Sequence, residues 1–149
     1  METLFSAETT DKSIVRIQAL TTASGAVWGK MNVAQMLAHC SETMEVARAQ
    51  RQIKRGVISY LLGGMMKKQF YNDSPVRKNS PTHPSFIMVA EFDLENEKKR
   101  LTDHLRAFQQ GGEAACTSEP HAFFGNVTKT QWGIGMYKHL DHHLQQFSV

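Results

Sequence analysis

Three of the chain's seven histidines fall in its last eleven residues, in the run Tyr137-Lys138-His139-Leu140-Asp141-His142-His143-Leu144. His139 and His143 stand four apart, a spacing that stacks two side chains on one face of a helix and lets both imidazoles reach one ion. A third histidine, His39, lies a hundred residues upstream in Met36-Leu37-Ala38-His39-Cys40. One histidine on an early helix and a His-x-x-x-His pair on a late one make a candidate three-nitrogen metal site inside a helical bundle. At about 100° per residue, His142 is turned roughly 100° from His143 and roughly 60° from His139, and is expected at the surface. A neutral three-imidazole shell leaves positions open for water or substrate, as in catalytic rather than structural zinc sites. Zinc, nickel and ferrous iron all accept imidazole, so the ligand set does not choose the metal. The same spacing also suits two histidines that only interact with the negative end of a helix dipole.

Other residues could assist such a centre. His121 follows Glu119-Pro120 in a loop just ahead of the last helix, where it could act as an auxiliary acid or base or simply fix the loop by bonding backbone. Asp141 and Glu42 could orient an imidazole from outside the ligand shell, or be solvated surface carboxylates. Cys40 adjoins His39, but neighbouring helical residues diverge by roughly 100°, which reads as buried core rather than a ligand.

The elements that must carry these residues are helices. Asp11 to Leu20 shows an apolar face at Ile14, Val15, Ile17 and Leu20, which predicts a first helix near 11–22. Asn32 with Gln35 three residues on has the form of a capping box, and Val33, Met36, Leu37, Cys40, Met44 and Ala47 recur behind it at helical spacing. This predicts a second helix over 32–49. Asp93 to Glu97 places acidic residues where a helix dipole favours them, Leu94, Leu101, Leu105 and Phe108 form a seam, and Gly111-Gly112 stop the helix. The third main helix is therefore expected over 93–110. Thr128 and Gln131 repeat the capping signature, and Tyr137, Leu140, Leu144 and Phe147 continue a seam, predicting a fourth over 128–147. Between the second and third, Val57 to Tyr71 looks helical despite Gly63-Gly64, the proline-bearing stretch 72–84 is a loop, and Ser85 to Ala90 could be extended. That segment is one long connection, and the Val57–Tyr71 helix, Met65 and Met66 included, is either an ordinary cover or a contact surface for a partner or for a second copy in a homodimer.

Length and composition bound the rest. The 149 residues suit one all-α domain over 1–149, and 41% hydrophobic with 21% charged residues is ordinary for a globular chain. A net charge of +3 with basic residues spread along the chain argues against nucleic acid as a partner. Cys40 and Cys116 form neither a disulfide framework nor a Cys-x-x-Cys pair, consistent with a reducing, cytoplasmic compartment. The N-terminus lacks a basic region followed by an apolar run, and no stretch reaches the ~20 apolar residues of a membrane span. No membrane partner is expected. No Ser-His-Asp arrangement, phosphate-cradling loop or dinucleotide fingerprint competes with the metal reading.

Three stretches together resemble the DinB/YfiT-like superfamily, and most closely a branch of it that is a domain of unknown function. They are Trp28-Gly29-Lys30-Met31-Asn32-Val33-Ala34-Gln35-Met36-Leu37-Ala38-His39-Cys40, then His121-Ala122-Phe123-Phe124-Gly125-Asn126-Val127-Thr128, then Trp132-Gly133 with Tyr137-Lys138-His139-Leu140-Asp141-His142-His143. The likeness runs from about residue 11 to 147 and is specific in the last third. It implies a four-helix bundle of up-down-down-up order and a divalent metal held by three histidines, which map onto His39, His139 and His143. Characterised relatives include thiol-dependent S-transferases and a thiol-dependent maleylpyruvate isomerase. The resemblance thus implies a metal-dependent enzyme that uses a low-molecular-weight thiol on a small electrophilic substrate. Hydrolysis by the same kind of centre, or a non-catalytic stress-response or binding module of the same fold, are the alternatives.

Overall fold

The computed structural model describes residues 1–149 as five α-helices with no strand: α1 Ala7–Ala19, α2 Val33–Ala47, α3 Val57–Phe70, α4 Leu94–Gly111 and α5 Lys129–Gln146. Both expected capping boxes form. Asn32 accepts from the Gln35 amide at 2.8 Å while the Gln35 side chain accepts from the Asn32 amide at 3.0 Å. Thr128 and Gln131 do the same at 3.1 and 3.0 Å. Each box satisfies two amides that a helix N-terminus would otherwise leave open, which fixes where α2 and α5 begin. Asp93 caps α4 through the Asn96 amide, and α4 ends where Gly112 turns to φ 55°.

Helices α1, α2, α4 and α5 share one apolar core. The expected seams are buried: Met36, Leu37, Cys40 and Met44 from α2, Leu101, Leu105 and Phe108 from α4, Leu140 and Leu144 from α5. Ion pairs close the α2–α4 seam on its solvent side. Arg100 donates to Glu42 at 2.7 Å and Glu45 at 2.6 Å, and Arg51 also bonds Glu42. These carboxylates are two-thirds or more shielded, so the pairs outdo ordinary surface ones. Arg100→Ala should lower the unfolding free energy by ~1 kcal/mol, read from the urea midpoint. An unchanged midpoint would show that this network contributes nothing.

The start of α1 departs from expectation. The helix begins at Ala7 rather than near residue 11, because Ser6 accepts from the Thr9 amide and caps it there. Its buried face is Thr9, Thr10, Ser13 and Ile17, whereas Val15 is 69% exposed. Thr10 donates to the Leu4 carbonyl and Ser13 to the Thr9 carbonyl, so these hydroxyls enter the core already bonded. The segment after α3 also differs: Pro84–Phe86 is a 3-10 turn, and residues 85–90 form no strand. No helix is long and apolar enough to cross a membrane.

Candidate metal centre

α2 and α5 pack side by side and bring His39, His139 and His143 together, with one ligand-capable nitrogen of each lying within 4.8 Å of the others. His39 Nε2 and His139 Nε2 are 3.0 Å apart. Ligand nitrogens ~2.1 Å from a tetrahedral ion stand ~3.4 Å apart, so the pair already has near-ligand spacing. His39 and His143 are buried and His139 is half-buried.

The outward ring nitrogen of each histidine has a partner. His39 Nδ1 donates to the Phe86 carbonyl at 2.9 Å, which fixes the tautomer and leaves the Nε2 lone pair facing the cluster. His143 Nδ1 donates to Gln146 Oε1 at 2.8 Å, and Gln146 Nε2 in turn donates to the Trp28 carbonyl at 2.6 Å. That second bond settles which end of the Gln146 amide meets the histidine. Thr43 gives its proton to the Cys40 carbonyl at 2.8 Å and presents its oxygen 3.5 Å from His139 Nδ1. Gly29 makes the Gln146 relay possible. It sits at φ +80°, and a Cβ there would come 2.5 Å from Gln146 Nε2.

The electrostatics suit a cation. Burial pushes all three imidazoles below their ordinary pKa, His143 to about 3 and His139 well down, with the mutual repulsion of neighbouring imidazolium charges adding to burial for both. They are neutral near pH 7, the form that binds a metal. The three histidines fit a divalent ion: neutral nitrogen donors converge, and backbone or amide groups orient them from behind. Cys40 faces the core beside Met36, and burial drives its thiol strongly upward, so it is a core residue rather than a ligand. Asp141 is paired with Arg16 and Gln145, and Glu42 with Arg51 and Arg100, so neither carboxylate orients a histidine.

Two further histidines, His142 and His121, border the cluster. His142 is half-buried rather than turned to solvent, with its ring 5.4 Å from Trp28 and 5.2 Å from His143. It borders a shallow open depression that also meets Trp28, Lys78, Lys138 and Asp141. His121 stacks on Phe124 at 4.4 Å, and its Nδ1 accepts from the Phe123 and Phe124 amides at 3.1 and 3.3 Å. Burial lowers its pKa to about 4. It holds the loop 121–125 closed, together with the paired backbone bonds of His121 and Gly125.

Gln146, Thr43 and the Phe86 carbonyl were not legible as site groups in the sequence. Gln146 alone left a trace, three residues after His143 and so on the same helix face. Gln146→Leu should weaken zinc binding by ~10-fold or more, because the His143 ring loses its orienting acceptor. Competition against a chromophoric chelator measures this, and an unchanged affinity would remove Gln146 from the site.

An all-helical domain with a cluster of three neutral histidines between two of its helices is what fold and site define. The chain belongs to the family described as a protein of unknown function, DUF1569, whose model matches residues 3–149. Searches of curated proteins and of solved structures found no match.

Proposed function

We propose that the chain is a divalent-metal-dependent enzyme of the DinB/YfiT-like superfamily, acting on a small electrophile with a low-molecular-weight thiol as co-substrate. The observation that carries this reading is the convergence of His39, His139 and His143, each with its outward nitrogen met by Phe86, Thr43 or Gln146. Four helices around one core, with a long connection from α2 to α4, are compatible with the up-down-down-up bundle of that superfamily. When bound, a divalent ion supplies a Lewis acid that lowers the pKa of a coordinated water or thiol.

The chain's own residues do the rest. His39, His139 and His143 would hold the ion without neutralising its charge, and three ligands leave positions for groups from solution. The packing around His39 and His143 excludes water from the inner side of the cluster, so the half-buried His139 marks the side open to ligands. His121 carries its proton on Nε2 and stays neutral at pH 7, so its part is to hold the loop and donate a hydrogen bond. The Lys78 ammonium, 4.2 Å from the Trp28 ring centroid and beside His142, suits an anionic substituent on a small substrate.

The test is a titration of cobalt-loaded protein with a panel of cellular thiols, alongside turnover of model electrophiles. A thiolate-to-cobalt charge-transfer band and thiol-dependent turnover are expected. Turnover of esters or amides with no thiol response would put hydrolysis in its place. Absence of both would make the chain a non-catalytic binding module.

A further inference from the structure

α3 is amphipathic in the opposite sense from a helix that covers a core. Its buried residues are Ser59 and Gly63. Ser59 donates to the Phe123 carbonyl at 2.8 Å, and a Cβ on Gly63 would come 2.6 Å from the same oxygen. Lys67 reaches the Asn126 carbonyl at 2.5 Å, and Phe70 packs against Phe124 in a tilted pair with centroids 4.8 Å apart. The helix is thus fastened to the loop 121–126 by its small and polar face. Val57, Ile58, Leu61, Leu62 and Met65 face the other way, and Val57 and Leu61 are 77% and 78% exposed. At ~100° per residue these five fall within an arc of about 140°, opposite the buried pair. They leave on the order of 600 Å² of apolar surface, at the top of what monomers keep and close to one side of a standard interface.

Gly64 adds an independent observation. It is exposed in the middle of the helix, beside Leu61 and Met65, and a Cβ there would meet nothing within 4 Å. A glycine at such a place weakens the monomer's helix relative to alanine, and no contact inside the chain requires it. A gap in an apolar ridge is useful to another backbone that must come close. A lipid surface has no such backbone, whereas a second helix does.

We propose that the outward face of α3 is a homodimer interface, in which α3 of two copies cross near Leu61 and Gly64 about a two-fold axis. The surface is self-complementary: Leu61 of one copy fills the gap at Gly64 of the other. The helix carries Lys67 and Lys68 at its end and follows Arg55, with no acidic residue between. Full antiparallel alignment would set like charges against each other, so a steep crossing separates them.

Sedimentation velocity of the wild-type chain, Leu61→Asp and Gly64→Ala tests this. The wild type is expected to be a dimer at about 10 µM, and Leu61→Asp a monomer with the same helical circular dichroism. Gly64→Ala raises helix propensity, so misfolding cannot explain a loss, and it should weaken dimerisation about tenfold. A wild type that stays monomeric up to about 100 µM would overturn the proposal. So would a dimer that Leu61→Asp leaves intact, or a Gly64→Ala dimer as tight as wild type. A monomer that floats with vesicles of anionic phospholipid would give the face to a membrane surface instead.

Discussion

Alanine at His39, His139 or His143 should each weaken binding of zinc or cobalt by ~100-fold or more, while His142→Ala changes it by less than about threefold. The difference follows from geometry. The first three offer nitrogens within 4.8 Å of one another, whereas His142 is turned toward Trp28 and stands outside the set. Removing one of three ligands also leaves two neutral imidazoles whose partners, Gln146 and the Phe86 carbonyl among them, still hold the rings in place. The affinity therefore falls without the fold falling. Stability gives a second readout. A ligand at a hundred times its Kd adds ~2.7 kcal/mol to the native state, so excess zinc should raise the melting temperature of the wild type and of His142→Ala but not of the other three. If His142→Ala lost the metal while His139→Ala kept it, the site would lie on the other side of α5.

The parts of this site that spacing controls were legible in the chain. Helical geometry alone puts His139 and His143 on one face, and the Asn32 and Thr128 caps set the starts of the two helices that carry the cluster. That His39 meets them is a tertiary fact, compatible with its wheel position beside the apolar stripe but not required by it. The orienting groups were less legible still, since a backbone carbonyl such as that of Phe86 has no signature in sequence. The start of α1 was missed because its inward face is made of Thr9, Thr10 and Ser13, polar residues whose hydroxyls bond within the core. Of the apolar residues that marked the expected face, Ile14, Ile17 and Leu20 do turn to the core and Val15 alone is exposed. α3 was legible as a helix, yet an apolar stripe normally implies burial, and here it faces out.

Metal-free protein should lose stability steadily as the pH falls from 6.5 toward 4, and His121 is the residue on which this is cleanest. Its ring lies between Phe124 and Trp132, and burial alone brings its pKa down to about 4 from 6.5. The sign is fixed by which state takes the proton. Above pH 6.5 neither the folded nor the unfolded chain protonates His121, and the native packing keeps its full benefit. Below 6.5 the unfolded chain binds a proton that the fold refuses, until the folded residue also titrates near 4. Each pH unit across that interval is worth ~1.36 kcal/mol, so this one residue costs roughly 3 kcal/mol by the acid end. His104 acts in the same direction, held down first by burial and then by Arg48, which donates to its Nδ1 at 2.7 Å, with Glu45 opposing. His121→Asn separates the proton from the packing. An Asn oxygen can replace Nδ1 as acceptor for the Phe123 and Phe124 amides, but it takes up no proton in this range. Urea unfolding at pH 7.5 and 4.5 should show the variant losing ~2–3 kcal/mol less than the wild type between the two. Equal losses would mean that the His121 ring is open to water and that its loop is not closed as described.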